Sequence, residues 1–424
     1  VNYSGMYFWV KRKSLTAATL LLLSCDFGFA QQYDLLIKEG HVIDPANGIS
    51  KVMDVAVRKG NIAKVAEAIP EPDAEKVIYA RGLYVAPGFI DTHTHVFVGS
   101  EANVFANGMN SVSPDDFTFR SGVTTVVDAG TSGWKNFPLF KRQVIDLSKT
   151  RILAFLNITG GGMTGSATEQ NLEEMNADSA AKVIRENLET LVGVKIGHYL
   201  GKDWGPFDKA VAAAGKSGTP LFVECHLPEY SLADQLARMR PGDMITHTFE
   251  NIAERMPIIG EDGKVRAFVR DARMRGILFD LGHGGAGFWF DQAIPAAKEH
   301  FYPDTFGTDL HRFSMNSAMK DMLHVMSKFM ALGLTLDEVI LRGTWNPAKA
   351  VRHQELGNLG EGKVADIVIL GVREGKFGFV DSAGNSIQGN KKLEAELTIR
   401  HGKVVWDLNG MAAKNQLRTF GSEK

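Results

Sequence analysis

The stretch from Pro87 to His95, "PGFIDTHTH", puts two imidazoles, His93 and His95, on alternate residues directly behind an apolar run. In extended backbone, residues i and i+2 share a face, so both rings leave the strand end side by side. Such a pair can form one edge of a metal site. Taken alone, it fits equally well a polar strand terminus with two solvated rings. The rest of the chain tips the balance. Lys195 stands in "LVGVKIG", His226 in "PLFVECH", His247 in "DMITHTF" and Asp309 in "DTFGTDLH", each at or near the end of its own apolar run. Imidazole and carboxylate are the usual ligands of zinc, manganese and iron. One histidine after one strand is ordinary capping or packing; repetition at the same place in successive strands is hard to explain by packing.

The elements that must position these groups follow from the same runs. "LYVAPGFID", "GVTTVVDAG", "RILAFLNITG", "LVGVKIG", "PLFVECH", "DMITHTF", "GILFDLGHG" and "DTFGTDLH" make eight, separated by amphipathic segments such as "NADSAAKVIRENLETL" and "WGPFDKAVAAAGKSG". Alternating strand and helix patterns over about 250 residues are the signature of a (β/α)8 barrel, whose active-site groups sit at the C-terminal ends of the strands. No G-x-G-x-x-G follows the first run, so nothing supports an open dinucleotide-binding sheet. The expected fold class is therefore α/β, a TIM-like (β/α)8 barrel over residues 87–354. Residues 33–86 and 355–410 read as short strands with turns, each too small for a domain of its own. Together they make one small β-sandwich domain built from both chain ends, followed by a tail over 411–424.

Composition narrows the function classes. The 424 residues are 44% hydrophobic and 23% charged with a formal net charge of -2, which argues against a nucleic-acid partner. The N-terminal 30 residues read as a signal peptide: Lys11, Arg12 and Lys13, then "LTAATLLLLS", then a small-x-small exit at Gly28-Phe29-Ala30. The apolar run is too short to span a bilayer. "LLSC" ending at Cys25 offers a second reading, a lipid anchor. Either route exports the chain, to the periplasm as a soluble or a tethered protein. Cleavage after Ala30 leaves Cys225 as the one cysteine, so no intrachain disulfide is expected.

The ordered set "LIKEGHVID", "PGFIDTHTH", "GVTTVVD", "GVKIG", His226, His247, "GTDLH", "NPAKAV" and "LGEGKVADIVIL" resembles the amidohydrolase superfamily of metal-dependent hydrolases, in its deacetylase or dihydroorotase-like branch. The resemblance covers nearly the whole chain after residue 33. It implies that His93, His95 and Asp309 hold one divalent metal and His226 and His247 a second, zinc first, with manganese or iron as alternatives. It also implies that Lys195 bridges them as a carbamate, N6-carboxylysine, since a protonated lysine cannot ligate a metal. Two cations sharing one water would lower its pKa, and Asp309 would carry the proton to the leaving group.

The implied activity is hydrolysis of an amide, or an ester, in a small substrate, most nearly deacylation of an N-acyl amino acid-like compound. A cyclic amidase acting on dihydropyrimidine or hydantoin rings is the alternative within the class, and a non-catalytic metal-binding barrel the alternative outside it. His283, Gly284 and Gly285 in "DLGHGGAG" follow the seventh run and are candidate substrate contacts. The expected partners are a small-molecule substrate and further copies of the chain in a homo-oligomer. One departure stands out: deacetylases of this branch have an arginine shortly after the bridging lysine, whereas this chain reads "GHYLG" from Gly197.

Overall fold

The structure is a computed structural model that describes Val1 and residues 31–98, 110–164, 166–224, 230–252 and 255–413. The export segment with Cys25, the pair Cys225 and His226, and the end of the tail lie outside the described residues.

The chain from Gln31 onward forms one compact unit. It opens with five strands: β1 (Leu35–Asp44), β2 (Ile49–Arg58), β3 (Asn61–Ala66), β4 (Val77–Tyr79) and β5 (Tyr84–Pro87). Seven strands follow: β6 (Phe89–Thr94), β7 (Val123–Gly133), β8 (Arg151–Asn157), β9 (Leu191–Gly197), β10 (Leu221–Glu224), β11 (Met244–Ile245) and β12 (Leu278–Phe279). Three close the chain: β13 (Ile367–Val380), β14 (Ser386–Arg400) and β15 (Lys403–Asp407).

Strands β6 to β12 pair in sequence order, all parallel, as consecutive βα units require. Both helical segments expected from pattern are present, as Ala177–Arg185 and Gly205–Ser217. The eighth run, residues 304–311, is not a regular strand. It touches its neighbours through single parallel bridges, Asp280↔Thr305 on one side and Thr94↔Leu310 on the other. Those two bridges bring the ends of the sheet together, so the barrel closes through an irregular eighth segment. β6 to β10 are almost wholly buried, with Phe89, Val126, Phe155, Val194 and Val223 each at 2% exposure or less. That is why they read as continuous apolar runs without alternation.

The second sheet has eight strands from both chain ends, in the order β15-β14-β13-β5-β1-β2-β3 with β4 beside β1. A bridge between Asn61 and Val364, next to the hydrogen bond from Ile62 N to Lys363 O at 2.7 Å, folds its far edge back toward β13. A core of Leu35, Val55, Ile62, Val85, Ile367 and Leu397 fills the space so enclosed. The two sheets meet at Gly88, the single residue between β5 and β6, whose N–H donates to Asp366 O at 2.8 Å. A Cβ on Gly88 would lie 2.3 Å from Thr124 Oγ1, so the close approach needs glycine.

Candidate metal centre

His93 and His95 leave the end of β6 as the alternation requires, buried at 0% and 3% exposure, with ring centroids 5.3 Å apart. Asp309, on the irregular eighth segment, meets them: its Oδ1 lies 3.1 Å from His95 Nε2 and 3.5 Å from His93 Nε2. Asp309 adopts φ +52, a left-handed backbone that costs a non-glycine residue energy and that a functional constraint commonly imposes. These three residues could hold a metal ion, with their ligand atoms all within 4.8 Å of one another.

The tautomers follow from the hydrogen bonds behind the rings. Thr246 Oγ1 donates to Asp280 Oδ2 at 2.8 Å, so it accepts from His93 Nδ1 at 3.0 Å. Thr131 Oγ1 donates to Asp128 Oδ2 at 2.7 Å and so accepts from His95 Nδ1 at 3.1 Å. His247 Nδ1 donates to Gly282 O, a carbonyl that can only accept, at 2.6 Å. All three rings thus carry a proton on Nδ1; His93 and His95 turn Nε2 toward Asp309, while His247 Nε2 meets Glu224 Oε1 at 2.9 Å. His93 Nε2 is buried with no hydrogen-bond partner, an atom that ordinarily pays a desolvation cost unless something binds it. A divalent cation would satisfy the His93 and His95 lone pairs and the Asp309 carboxylate together, so these three residues fit a metal. Burial, with the Lys195 charge adding to it, pushes the pKa of His93 down to about 4, keeping the ring neutral as a ligand must be.

Asp280 and Asp128 form the layer beneath. Asp280 accepts from Thr92, Thr246, Thr305 and Gly307 N at 2.6 to 3.0 Å. Asp128 accepts from Val96 N and Thr131 N at 2.9 and 2.8 Å. They fix the rings rather than facing the site.

Lys195 points inward from β9 with 0% exposure. Its Nζ makes an ion pair with Glu224 Oε2 and lies 4.8 Å from the centre of the Phe222 ring. Glu224, the last residue of β10, is the group the sequence reading missed. Its Oε1 is 2.9 Å from His247 Nε2 and 3.2 Å from His198 Nε2, while its Oε2 is 3.8 Å from His93 Nε2. A carboxylate in the middle of "PLFVECH" was the available signal, because a charge in a core strand must find partners. Burial opposes its ionisation, yet the charges of Lys195, His198 and His247 hold it well below the usual carboxylate range. Burial likewise opposes protonation of His247, but Glu224 raises its pKa to about 9.

In "GHYLG", which lacks that arginine, His198 stands at φ +61 with Nδ1 3.2 Å from Glu169 Oε1. Of the candidate substrate contacts, His283 is buried with Nδ1 on Gly284 O at 3.0 Å and Nε2 accepting from Lys328 Nζ at 2.5 Å. Both its ring nitrogens are engaged inside the protein. Gly284 lies against Asp309: a Cβ there would sit 2.1 Å from Asp309 Oδ2. Gly285 is exposed, with nothing within 4 Å of a Cβ. His311, also missed, stands with Nε2 3.8 Å from Asp309 Oδ2.

A parallel barrel with paired histidines on its first strand and an aspartate after its last defines a class, the metal-dependent hydrolases built on a (β/α)8 scaffold. Comparison with known proteins specifies the class further. The chain belongs to the amidohydrolase family, whose profile matches residues 291–405. It is 30% identical over 333 residues to a deacetylase of Agrobacterium fabrum, covering 77% of this chain and 80% of that one. Among solved structures, it is similar to one described as an adenine deaminase, with a TM-score of 0.81 and 28% identity over 89% of this chain and 100% of the other. It is also similar to a dihydroorotase, with a TM-score of 0.79 and 26% identity over 88% and 99%. The protein is a metal-dependent hydrolase of carbon–nitrogen bonds other than peptide bonds. Among the described residues, no helix is long and apolar enough to cross a membrane.

Proposed function

We propose that the protein removes the acyl group from a small N-acyl amino acid-like compound, with Asp309 as the proton carrier. One observation carries the reading: Asp309 Oδ1 lies within 3.5 Å of the Nε2 atoms of both His93 and His95, on a strained backbone that holds it there. Zinc is the proposed metal, with manganese and iron as alternatives that the same donors accept. When bound, the metal supplies polarisation of the acyl carbonyl and a water of lowered pKa.

The side chains then divide the work. His93 and His95 hold the metal through Nε2 with their rings locked from behind by Thr246 and Thr131. Burial opposes ionisation of Asp309, but the neighbouring His93, His311 and His95 lower its pKa, so it stands as an ionised carboxylate beside the ring nitrogens. It takes the proton released as water attacks the carbonyl and returns it to the departing nitrogen. An amide nitrogen is a poor leaving group until protonated, so the shuttle matters more for an amide than for an ester. A side chain at Gly284 would collide with the same carboxylate, so glycine leaves it room.

Deacylation is favoured over ring opening by the deacetylase relative, which is matched over 80% of its length. The test is a screen of zinc-replete protein against N-acetyl amino acids of both hands, acyl esters, cyclic ureides and adenine. Acetate release from an N-acetyl compound, lost in Asp309→Asn, is the expected result. Ring opening or ammonia release alone would overturn the substrate class. Two bound metals with no turnover of any substrate would leave a binding barrel instead. The leader-like segment over residues 1–30 supports an exported, periplasmic enzyme, which fractionation of cells carrying the full chain tests.

A further inference from the structure

The end of the barrel away from the metal centre holds an unsatisfied cation. Arg400 closes β14, and its Nε is buried with no hydrogen-bond partner among the described residues. Asp366 Oδ1 is 3.7 Å from its Nη1, beyond hydrogen-bond reach. That carboxylate is already engaged, since it pairs with Arg151 and accepts from His401 N at 2.8 Å. A guanidinium offers five donors, and buried donors are ordinarily matched.

The hairpin adds to the excess of positive charge. β14 turns into β15 through His401 and Gly402, both left-handed at φ +50 and +73, a two-residue turn that sets Arg400 directly opposite Lys403. Residues opposite one another share a face, and like charges so placed repel. Thr398 Oγ1 donates to Phe119 O at 2.8 Å and seats the hairpin on the barrel. Lys149, two residues before β8, brings a third cation. The carboxylate beside it, Asp115, is also engaged, accepting from Lys149 N, Thr150 N and Thr150 Oγ1, each at 2.8 Å.

Arg400, Lys403 and Lys149 line one cavity of about 670 Å³, with Phe119 and Val404 as apolar lining. Three cations around one space, with both neighbouring carboxylates engaged, are relieved by an oxyanion. The planar guanidinium fork matches carboxylate and phosphate alike. β8 runs from Arg151 at this end to Asn157 at the other, a length of about 20 Å, so the cavity is separate from the metal centre.

We propose that this cavity binds a small organic oxyanion, a carboxylate or phosphate monoester with an apolar body, through Arg400 with Lys403 and Lys149 at the rim. The proposal is independent of the hydrolase reading.

Calorimetric titration of the full, zinc-loaded protein with phenyl phosphate and, separately, with phenylacetate tests it, with benzyl alcohol as the uncharged control. Arg400→Gln and Lys403→Gln are compared with the wild type, and circular dichroism and zinc content check that the fold and the metal centre are intact. The expected result is that at least one anion binds the wild type, that benzyl alcohol does not, and that each substitution weakens binding about 10-fold or more, the loss of one charge-assisted contact. The probe that binds identifies the head group. Heat from neither anion, as from a cavity that holds water alone, or equal binding of benzyl alcohol, overturns the proposal. So does anion binding that both variants retain at full strength, as binding at the zinc would be. Should Arg400→Gln fail to fold, the exposed Lys403 and Lys149, each changed to glutamine, decide the same question.

Discussion

The chemistry of this protein rests on a few side chains whose ionisation is set by their neighbours. On the proposed reading Asp309 carries the proton, with His95 Nε2 at 3.1 Å and His311 Nε2 at 3.8 Å from its carboxylate. Its replacement by asparagine preserves the shape and the metal-facing oxygen but removes the proton acceptor. General acid–base groups contribute about 10^2 to 10^4-fold. We expect Asp309→Asn to lower kcat by that order with the circular dichroism spectrum unchanged, as steady-state assays on the variant saturated with zinc would show. The residues behind the ligands act on affinity instead. Thr246 orients His93 through a single hydrogen bond, and losing such a support costs about 10 to 100-fold in metal affinity or activity. Thr246→Val should therefore weaken zinc binding in a competition titration without unfolding the barrel.

At the scale of elements, the placing of charge inside the helix layer has a measurable consequence. Lys328, on the helix Met322–Ala331, is buried and holds His283 together with Val380 O at 2.7 Å. Burial, with the Lys320 charge adding to it and the Asp381 charge opposing it, lowers its pKa from 10.5 to about 7. Because the folded value is the lower one, the unfolded chain binds more protons between these limits, and folding stability gained through this group rises with pH across that window. Lys328→Met should abolish that gain. The difference in unfolding free energy between the two proteins, followed from pH 7 upward by urea titration, measures it. Strand ends carry a second constraint. A Cβ on Gly133, the last residue of β7, would lie 1.8 Å from Thr159 O and 2.6 Å from Gly160 O, both backbone atoms. Overpacking of this kind costs about 1–3 kcal/mol or more, so Gly133→Ala should shift the urea midpoint down by a corresponding amount.

For the whole molecule, the small sheet is a structural partner of the barrel. β13 pairs with β5 from Ile367↔Pro87 to Leu370↔Tyr84, and β5 runs through Gly88 into the strand that carries His93 and His95. Arg151, at the start of β8, makes an ion pair with Asp366 just before β13, which ties the base of the barrel to the same seam. Truncation before Ile367 would leave the hydrogen-bonding edge of β5 unpaired and uncover Val85 and Ile37. The expected outcome is an insoluble product with no cooperative thermal transition, in place of a free-standing barrel.

Much of this was legible in the chain itself. Local periodicity is set by covalent geometry, so eight apolar runs with helical spacers give the barrel, and H-x-H at a strand end gives two rings on one face. The return of strands after residue 355 gives the second sheet, since short strands cannot stand alone. Closure by an irregular eighth segment was not legible, because a single bridge leaves no periodic trace in sequence. Nor was the centre of the site. Glu224 sits in an apolar run, and the pattern gives no sign of which groups its carboxylate meets. Only the register of β10 against β9 and β11 sets its carboxylate beside Lys195, His198 and His247, which come from two other strand ends. Sequence thus determined which groups leave each strand and toward which face, a matter of neighbours along the backbone. Tertiary structure decided which of those groups share one buried volume, and so which of them are charged, because electrostatic partners are chosen by distance in space and not by separation in the chain.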